Sequence, residues 1–183
     1  MRGSAFFRSI PNLITVGRLI LVPVIVATIS AQAWVTAFTL FVLAGVSDGV
    51  DGYIAKHFDL RTELGAYLDP LADKALLISI YVALALEGIL PPSVAILVVS
   101  RDVMIIGAVI VSWVLEQRVE IRPLAVSKLN TVVQIVLAAM VLAAKAFGLS
   151  LDPWLSVMIG LVVTLTLASM AAYLAQWLRH MSG

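Results

Sequence analysis

Four aspartates, Asp48, Asp51, Asp69 and Asp73, carry the clearest chemical signal in this sequence. On a helix of about 3.6 residues per turn, the first two are i, i+3 neighbours and the last two are i, i+4 neighbours, so each pair lies on one helix face. Clustered carboxylates repel one another unless they are protonated or bound to cations. Oxygen ligands alone favour Mg²⁺ or Mn²⁺ over Zn²⁺. A pair of such ions usually serves phosphoryl transfer, and we expect that chemistry here.

The elements that position these aspartates are predicted to be membrane helices. Hydrophobic residues make up 62% of the 183 residues and the mean hydropathy is +1.08, which exceeds what a soluble domain of this size buries. A bilayer-spanning helix needs about 20 mostly apolar residues. Six stretches qualify: Asn12–Ser30, Trp34–Lys56, Gly65–Glu87, Ser93–Leu115, Leu124–Ala146 and Pro153–Trp177. The sequence therefore predicts an all-α integral membrane bundle of six transmembrane helices, forming a single domain over residues 1–183.

Two further predictions concern the ends of these spans. Residues Ser4–Ile10 could form a short interfacial helix on the membrane before Pro11 turns the chain inward. The second and third spans are joined by a short polar connector, which predicts that they are antiparallel neighbours and that the four carboxylates converge at one end of the bundle.

The distribution of charge sets the orientation and excludes some partners. Basic residues concentrate on one side, which predicts cytoplasmic termini. We expect a multi-pass protein of the bacterial inner membrane. That side holds Arg2, Arg8, Arg18, Lys56, Arg61, Lys74, Arg118, Arg122, Lys128 and Arg179. A formal net charge of only +1 argues against a nucleic-acid partner, and the absence of cysteine excludes disulfides, thiolate metal sites and cysteine nucleophiles.

Intramembrane carboxylates and glycines also occur in proteins with other functions or in purely structural roles. Carboxylates at membrane depth also mark ion pathways, but here they all lie toward one side and no inverted repeat is visible, which disfavours a cation transporter. Intramembrane prenyl transfer would require two separated aspartate-rich motifs and more spans than this chain offers. Gly45 and Gly49 have the spacing of a helix-packing motif.

The spacing Asp48-x2-Asp51-Gly52-x2-Ala55-Lys56-x8-Gly65-x3-Asp69-x3-Asp73 resembles the signature of the CDP-alcohol phosphatidyltransferase family. Its one departure is Lys56, where the family has arginine, so a bidentate phosphate contact becomes a point charge. The resemblance implies six transmembrane helices, a homodimer, and a cavity open to the cytoplasmic leaflet.

The same resemblance implies roles for individual residues. Asp48 and Asp69 would bridge two Mg²⁺ or Mn²⁺ ions, Asp51 would complete one site, and Asp73 would complete the other and act as general base. The cytidine diphosphate part of the donor would contact Gly52, Lys56, Thr62 and the Asn12–Thr15 stretch, including Thr15 itself. Independently of the resemblance, Gly49, Gly52 and Gly65 have no side chain and would let a diphosphate or a nucleoside lie directly against the helix backbone.

Two further segments bear on the acceptor. Val99–Ile106 and Val126–Gln134 resemble segments of cardiolipin synthases of the CDP-alcohol type, which implies transfer from CDP-diacylglycerol to phosphatidylglycerol. Phosphatidylglycerophosphate synthases, which use glycerol-3-phosphate, are the runner-up. They look richer in cations where this chain has apolar residues after Gly107 and has Asn130, and fewer cations suit a singly charged phosphodiester.

The candidate acceptor-side cations are Arg101, Arg118, Arg122 and Lys128. For Arg101 the alternative is an internal ion pair with Asp102. For the other three it is a role as positive-inside anchors at the membrane surface.

Overall fold

A computed structural model describes residues 3–57, 63–114 and 124–181 of the chain. Within these ranges it contains six helices and no strand, which confirms the predicted all-α fold. The helices are α1 (Gly3–Ser30), α2 (Trp34–His57), α3 (Glu63–Leu86), α4 (Pro92–Val114), α5 (Ala125–Phe147) and α6 (Trp154–Met181). Apart from the start of α1 and the end of α6, their bounds fall within two residues of the predicted spans, because prolines, glycines and polar runs interrupt the apolar stretches at those points.

The N-terminal segment is helical as predicted, but it is continuous with the first long helix. Residues Ser4–Ile10 are helical, but they form the first part of α1 instead of a separate interfacial helix. Pro11 lies inside α1 and does not end it. A proline removes one backbone hydrogen bond and bends a helix, and the chain can continue on the far side when the flanking residues favour helix.

Tight turns connect the helices at the end of the bundle away from the aspartates. Gln32, between α1 and α2, and Gly88, between α3 and α4, have positive φ values of 58° and 70°. The Gln32 side-chain amide donates a hydrogen bond to Glu87, so the two turns are tied together. Gly148 ends α5 in the left-handed region, and its N–H donates to the Ala144 carbonyl.

The six helices pack in a closed ring. Going round the ring, α1 contacts α2, α2 contacts α5, α5 contacts α6, α6 contacts α4, α4 contacts α3, and α3 returns to α1; α3 and α5 also touch across the ring. The prediction that α2 and α3 are direct neighbours is wrong for the described residues, because α1 packs against both and lies between them. This arrangement leaves room between α2 and α3 for the charged side chains described below.

The interior of the bundle is mostly apolar but contains a set of polar side chains, and its outer surface is apolar. Among the residues whose burial the structure describes, nine polar or charged side chains are buried: Thr15, Arg18, Arg101, Asp102, Ser127, Asn130, Gln134, Thr166 and Ser169. Large apolar side chains face outward, with Leu86 82% exposed and Trp154 66% exposed. In water such a surface would be costly, whereas lipid tails solvate it. The outer surface is therefore consistent with a membrane protein.

Two helical segments among the described residues are long and apolar enough to cross a bilayer, Ala125–Phe147 and Trp154–Arg179. Only 17% of the most apolar window in the second is buried, unlike a core helix of a soluble protein. Ile14–Ser30 and Trp34–Val50 are shorter apolar stretches. Charged residues interrupt the apolar runs of α3 and α4, so the full set of six spans stays a prediction.

Candidate active site

Arg18 lies at the centre of the candidate site. It is on the face of α1 between α2 and α3, and it is only 2% exposed. Its Nη1 atom is 2.7 Å from an Asp48 carboxylate oxygen and also donates a hydrogen bond to Asp73. One guanidinium thus joins a carboxylate from α2 to a carboxylate from α3, and both carboxylates remain about half exposed.

Thr15 extends this arrangement by one helical turn. It is fully buried, and its hydroxyl donates a 2.5 Å hydrogen bond to a carboxylate oxygen of Asp69. Because Thr15 and Arg18 are i, i+3 neighbours, they share one face of α1. Asp48, Asp69 and Asp73 therefore meet around that face, while Asp51 lies in the same helix as Asp48 with its side chain outside the described part of the chain.

A cavity of about 300 Å³ opens beside this cluster. Its polar lining consists of Arg18, Asp48 and Asp73 together with Lys74 and Asp102. Apolar residues such as Phe41 complete the wall, and Thr131 and Gln134 close it from α5. Side chains from α1 to α5 thus surround one space, which has carboxylates and a lysine within it.

The carboxylates around Thr15 and Arg18 offer oxygen ligands to a divalent cation. The described charges sum to −2, since Asp48, Asp69 and Asp73 contribute three negative charges and Arg18 one positive charge. Oxygen ligands with that net charge suit Mg²⁺ or Mn²⁺. Within the described residues, however, no group of three potential ligands is close enough to hold one ion. The ligand chemistry fits a metal, and the Arg18 guanidinium occupies the space between two of the carboxylates.

A second charged cluster borders the same cavity. Asp102, which is buried in α4, pairs through one carboxylate oxygen with Arg101 Nη1 at 2.5 Å and with Lys74 Nζ at 2.6 Å. Arg101 is 3% exposed and also donates hydrogen bonds to Ser127 and Ser169. Its guanidinium carbon lies 5.9 Å from the ring centre of Tyr173. These contacts agree with the internal ion pair that was the alternative interpretation of Arg101.

A hydrogen-bonded layer lies deeper in the bundle. The Thr166 hydroxyl donates to the Asn130 side-chain oxygen at 3.0 Å, and the Gln134 amide donates to Thr166 at 3.4 Å. The Tyr81 hydroxyl donates to the Gln134 carbonyl at 3.1 Å. This layer links α3, α5 and α6, and it satisfies the side-chain oxygen of the buried Asn130.

For the other predicted site residues, the structure describes only their exposure or their helix, or does not describe them. Gly52 is exposed on α2 and Lys128 is exposed on α5. Asn12, Lys56 and Gly65 lie within helices, but their surroundings are outside the described part of the structure. Thr62, Arg118 and Arg122 also fall outside the described residues.

Sequence reasoning missed the roles of Arg18 and Lys74, which it counted only as positive-inside charges. A signal was present for Arg18, because it is an arginine within an apolar helix and one turn after Thr15. Lys74 follows Asp73 directly, and its contact with Asp102 depends on the packing of α3 against α4, which the sequence does not display.

The fold and site define an all-helical, apolar-surfaced bundle with a carboxylate cluster at one end. Residues 8–177 match the CDP-alcohol phosphatidyltransferase family, and the chain belongs to that family. This confirms the resemblance drawn from the aspartate spacing.

Curated relatives carry two kinds of name. The chloroplastic CDP-diacylglycerol–glycerol-3-phosphate 3-phosphatidyltransferase 1 of Oryza sativa subsp. japonica is 32% identical over 93% of this chain and 57% of its own length. The CMP-forming cardiolipin synthase of Homo sapiens is 33% identical over 90% of this chain and 60% of its own. A probable phosphatidylglycerophosphate synthase of Mycobacterium tuberculosis is 30% identical over 99% of this chain and 87% of its own. The chain thus spans less than two thirds of the rice and human proteins.

Proposed function

We propose that this protein transfers the phosphatidyl group of CDP-diacylglycerol to phosphatidylglycerol, giving cardiolipin and CMP, as part of phospholipid synthesis. The observation that carries the transfer chemistry is the convergence of Asp48, Asp69 and Asp73 around Thr15 and Arg18 at a cavity. We further propose that the protein acts as a homodimer in a bacterial inner membrane, with its site facing the cytoplasm.

The residues of the cavity have distinct roles in this proposal. Asp73 lines the cavity and is half exposed, so an acceptor hydroxyl can reach it and give up its proton there. The acceptor oxygen then attacks the phosphorus that carries diacylglycerol, and the bond to CMP breaks. Thr15 and Arg18 hold Asp69, Asp48 and Asp73 in place through the contacts described above.

Asp48, Asp51, Asp69 and Asp73 are the residues that would hold two divalent cations, Mg²⁺ or Mn²⁺. Bound there, the ions would offset negative charge on the phosphate oxygens of donor and leaving group. On the donor side, Asn12, Gly52, Lys56, Thr62 and Gly65 remain our proposed contacts to cytidine diphosphate.

The choice of phosphatidylglycerol as acceptor has two supports. The α4 and α5 segments resemble those of cardiolipin synthases, and a human protein of that name is among the relatives. Among the described residues that line the cavity, the basic ones are Arg18 and Lys74, and each contacts a carboxylate. Little positive charge is left for a dianionic phosphate, which favours a singly charged phosphodiester.

Phosphatidylglycerophosphate synthesis is the second candidate, because the rice and Mycobacterium tuberculosis relatives have names of that kind. Arg118, Arg122 and Lys128 would be the additional cations available to glycerol-3-phosphate.

Product analysis of the purified protein separates the two candidates. The protein receives CDP-diacylglycerol, Mg²⁺ or Mn²⁺, and either phosphatidylglycerol or glycerol-3-phosphate, and mass spectrometry identifies the lipid product. Release of CMP together with cardiolipin supports the proposal, whereas release only with glycerol-3-phosphate favours the second candidate. Asp73→Asn serves as the inactive control, and Glu87→Gln, in the turn at the far end of the bundle, serves as the active control.

A further inference from the structure

The Lys74 ammonium pairs with a carboxylate on another helix and not with the aspartate that precedes it in sequence. Asp73 precedes it, yet the Lys74 ammonium pairs with Asp102 on α4 at 2.6 Å. Successive residues on a helix point about 100° apart, so Lys74 faces α4 while Asp73 faces Arg18 on α1. Asp102 is the only partner that the described residues give to Lys74.

The charges around Asp102 do not cancel. Arg101 and Lys74 are two cations that share one carboxylate, so the trio carries a net charge of +1. Arg101 and Asp102 are buried, and the Lys74 side chain is 33% exposed. Both Lys74 and Asp102 line the cavity. The excess positive charge of the trio is therefore presented to the cavity at Lys74, which lines the same space as Asp48 and Asp73.

A cation whose own direct contacts leave positive charge in excess within an apolar bundle is stabilised by a further anion beside it. The ammonium has three N–H donors, and Asp102 accepts from it within the described structure. The remaining donors are available to a molecule in the cavity. A single negative charge balances the trio, whereas a dianion would leave an excess negative charge beside Asp48 and Asp73.

We infer that Lys74, held in place by Asp102, forms a binding subsite for one singly charged phosphate group of a substrate in the cavity. Asp102 is a positioning residue, because it keeps the ammonium from pairing with Asp73. This inference rests on the proposed function, since it assigns a phosphate-containing lipid to the same cavity. That phosphate belongs either to the phosphodiester of the acceptor lipid or to the diphosphate of the donor.

Steady-state kinetics of Lys74→Met and Lys74→Arg test the subsite. CMP release is measured while acceptor and donor concentrations are varied separately. Loss of one charge-assisted hydrogen bond should raise the KM of the substrate that binds Lys74 by about tenfold to a hundredfold, with a smaller change in kcat. A rise in the acceptor KM identifies the phosphodiester, and a rise in the donor KM identifies the diphosphate. Unchanged KM values for both substrates would overturn the inference.

Two further variants control for structural effects. Lys145→Met removes a lysine that lies over the Trp34 ring at the opposite end of the bundle, and it should leave both KM values unchanged. Asp102→Asn should raise the same KM as Lys74→Met. In the Lys74→Met background, Asp102→Asn should add no further rise, because the residue that it positions is already absent. An additional rise of similar size would contradict the positioning role.

A binding measurement separates this inference from the proposed reaction. Short-chain phosphatidylglycerol, short-chain CDP-diacylglycerol and zwitterionic phosphatidylcholine are added to the detergent-solubilised protein, and thermal unfolding is followed. At least one of the first two should raise the Tm of the unaltered protein and of Lys74→Arg, with a clearly smaller shift for Lys74→Met. If this pattern appears in a protein that releases no CMP, the subsite stands and the reaction fails. Equal Tm shifts for all three forms of the protein would exclude the subsite.

Discussion

Replacing Arg101 with methionine tests whether the buried charges of α4 hold the bundle together. The substitution keeps much of the side-chain length but removes the ion pair with Asp102 and the hydrogen bonds to Ser127 and Ser169. Breaking a buried ion pair by removing one partner costs about 3–5 kcal/mol. Since Lys74 still compensates Asp102, we expect the lower end of that range, about 3 kcal/mol.

For a chain of 183 residues, a loss of about 3 kcal/mol corresponds to a fall in Tm of about 6–12 °C. Thermal unfolding in detergent, followed by intrinsic fluorescence, measures this directly. Lys128→Met is the matched control, because it removes one exposed cation from α5, and its Tm should stay close to that of the unaltered protein.

A double-mutant cycle strengthens the test. In the Arg101→Met background, Asp102→Asn should cost less stability than it does alone, because its main buried partner is already gone. A Tm for Arg101→Met within about 2 °C of the unaltered protein would refute the reasoning. The reasoning would also be refuted if the loss of unfolding free energy in the double variant equalled the sum of the losses in the two single variants to within about 0.5 kcal/mol.

Three further predictions concern the site and its support. Asp69→Asn should abolish CMP release yet leave the protein folded, because Thr15 can still donate a hydrogen bond to an asparagine oxygen. CMP release measures the activity and circular dichroism measures the folding. Near-normal turnover would contradict the metal assignment. Arg18→Met should lower the Tm of the metal-free protein, because the ion pairs with Asp48 and Asp73 are lost. It should also tighten Mn²⁺ binding about tenfold or more, because the guanidinium no longer competes with the metal for these two carboxylates. Titration followed by electron paramagnetic resonance measures the Mn²⁺ affinity. Thr166→Val should lower stability by about 0.5–2 kcal/mol through its contacts with Asn130 and Gln134, and unchanged denaturant unfolding would count against that layer.

Much of the fold follows from hydrophobicity alone. Apolar stretches of about 20 residues gave the helices, and turn residues gave their limits, because backbone groups in an apolar medium must be satisfied within each helix. The order of packing does not follow in the same way. A short connector between α2 and α3 suggested direct contact, yet α1 lies between them, since helix neighbours are set by side-chain fit over whole faces.

The candidate site was predictable to a similar degree. The spacing of Asp48, Asp69 and Asp73 predicted carboxylates that share a face of each helix, and the structure brings these three together. Arg18 was assigned to the membrane flank because a basic residue near a span end is usually an anchor. Its contact with two aspartates depends on the position of α1 in the ring, which is a tertiary property.

The ring order also has a consequence for biogenesis. Synthesis proceeds from the N-terminus, so α1, α2 and α3 enter the membrane with the aspartates, Arg18 and Lys74 before Asp102 exists. During that interval, the aspartates of α2 and α3 are present, but the carboxylate that pairs with Lys74 in the folded bundle is not. The arrival of α4 supplies Asp102, with which the lysine pairs in the folded bundle. Separation of positive from negative charge is thus a late event in assembly, and a nascent chain ending after α3 would hold the aspartate signature without a working arrangement of its charges.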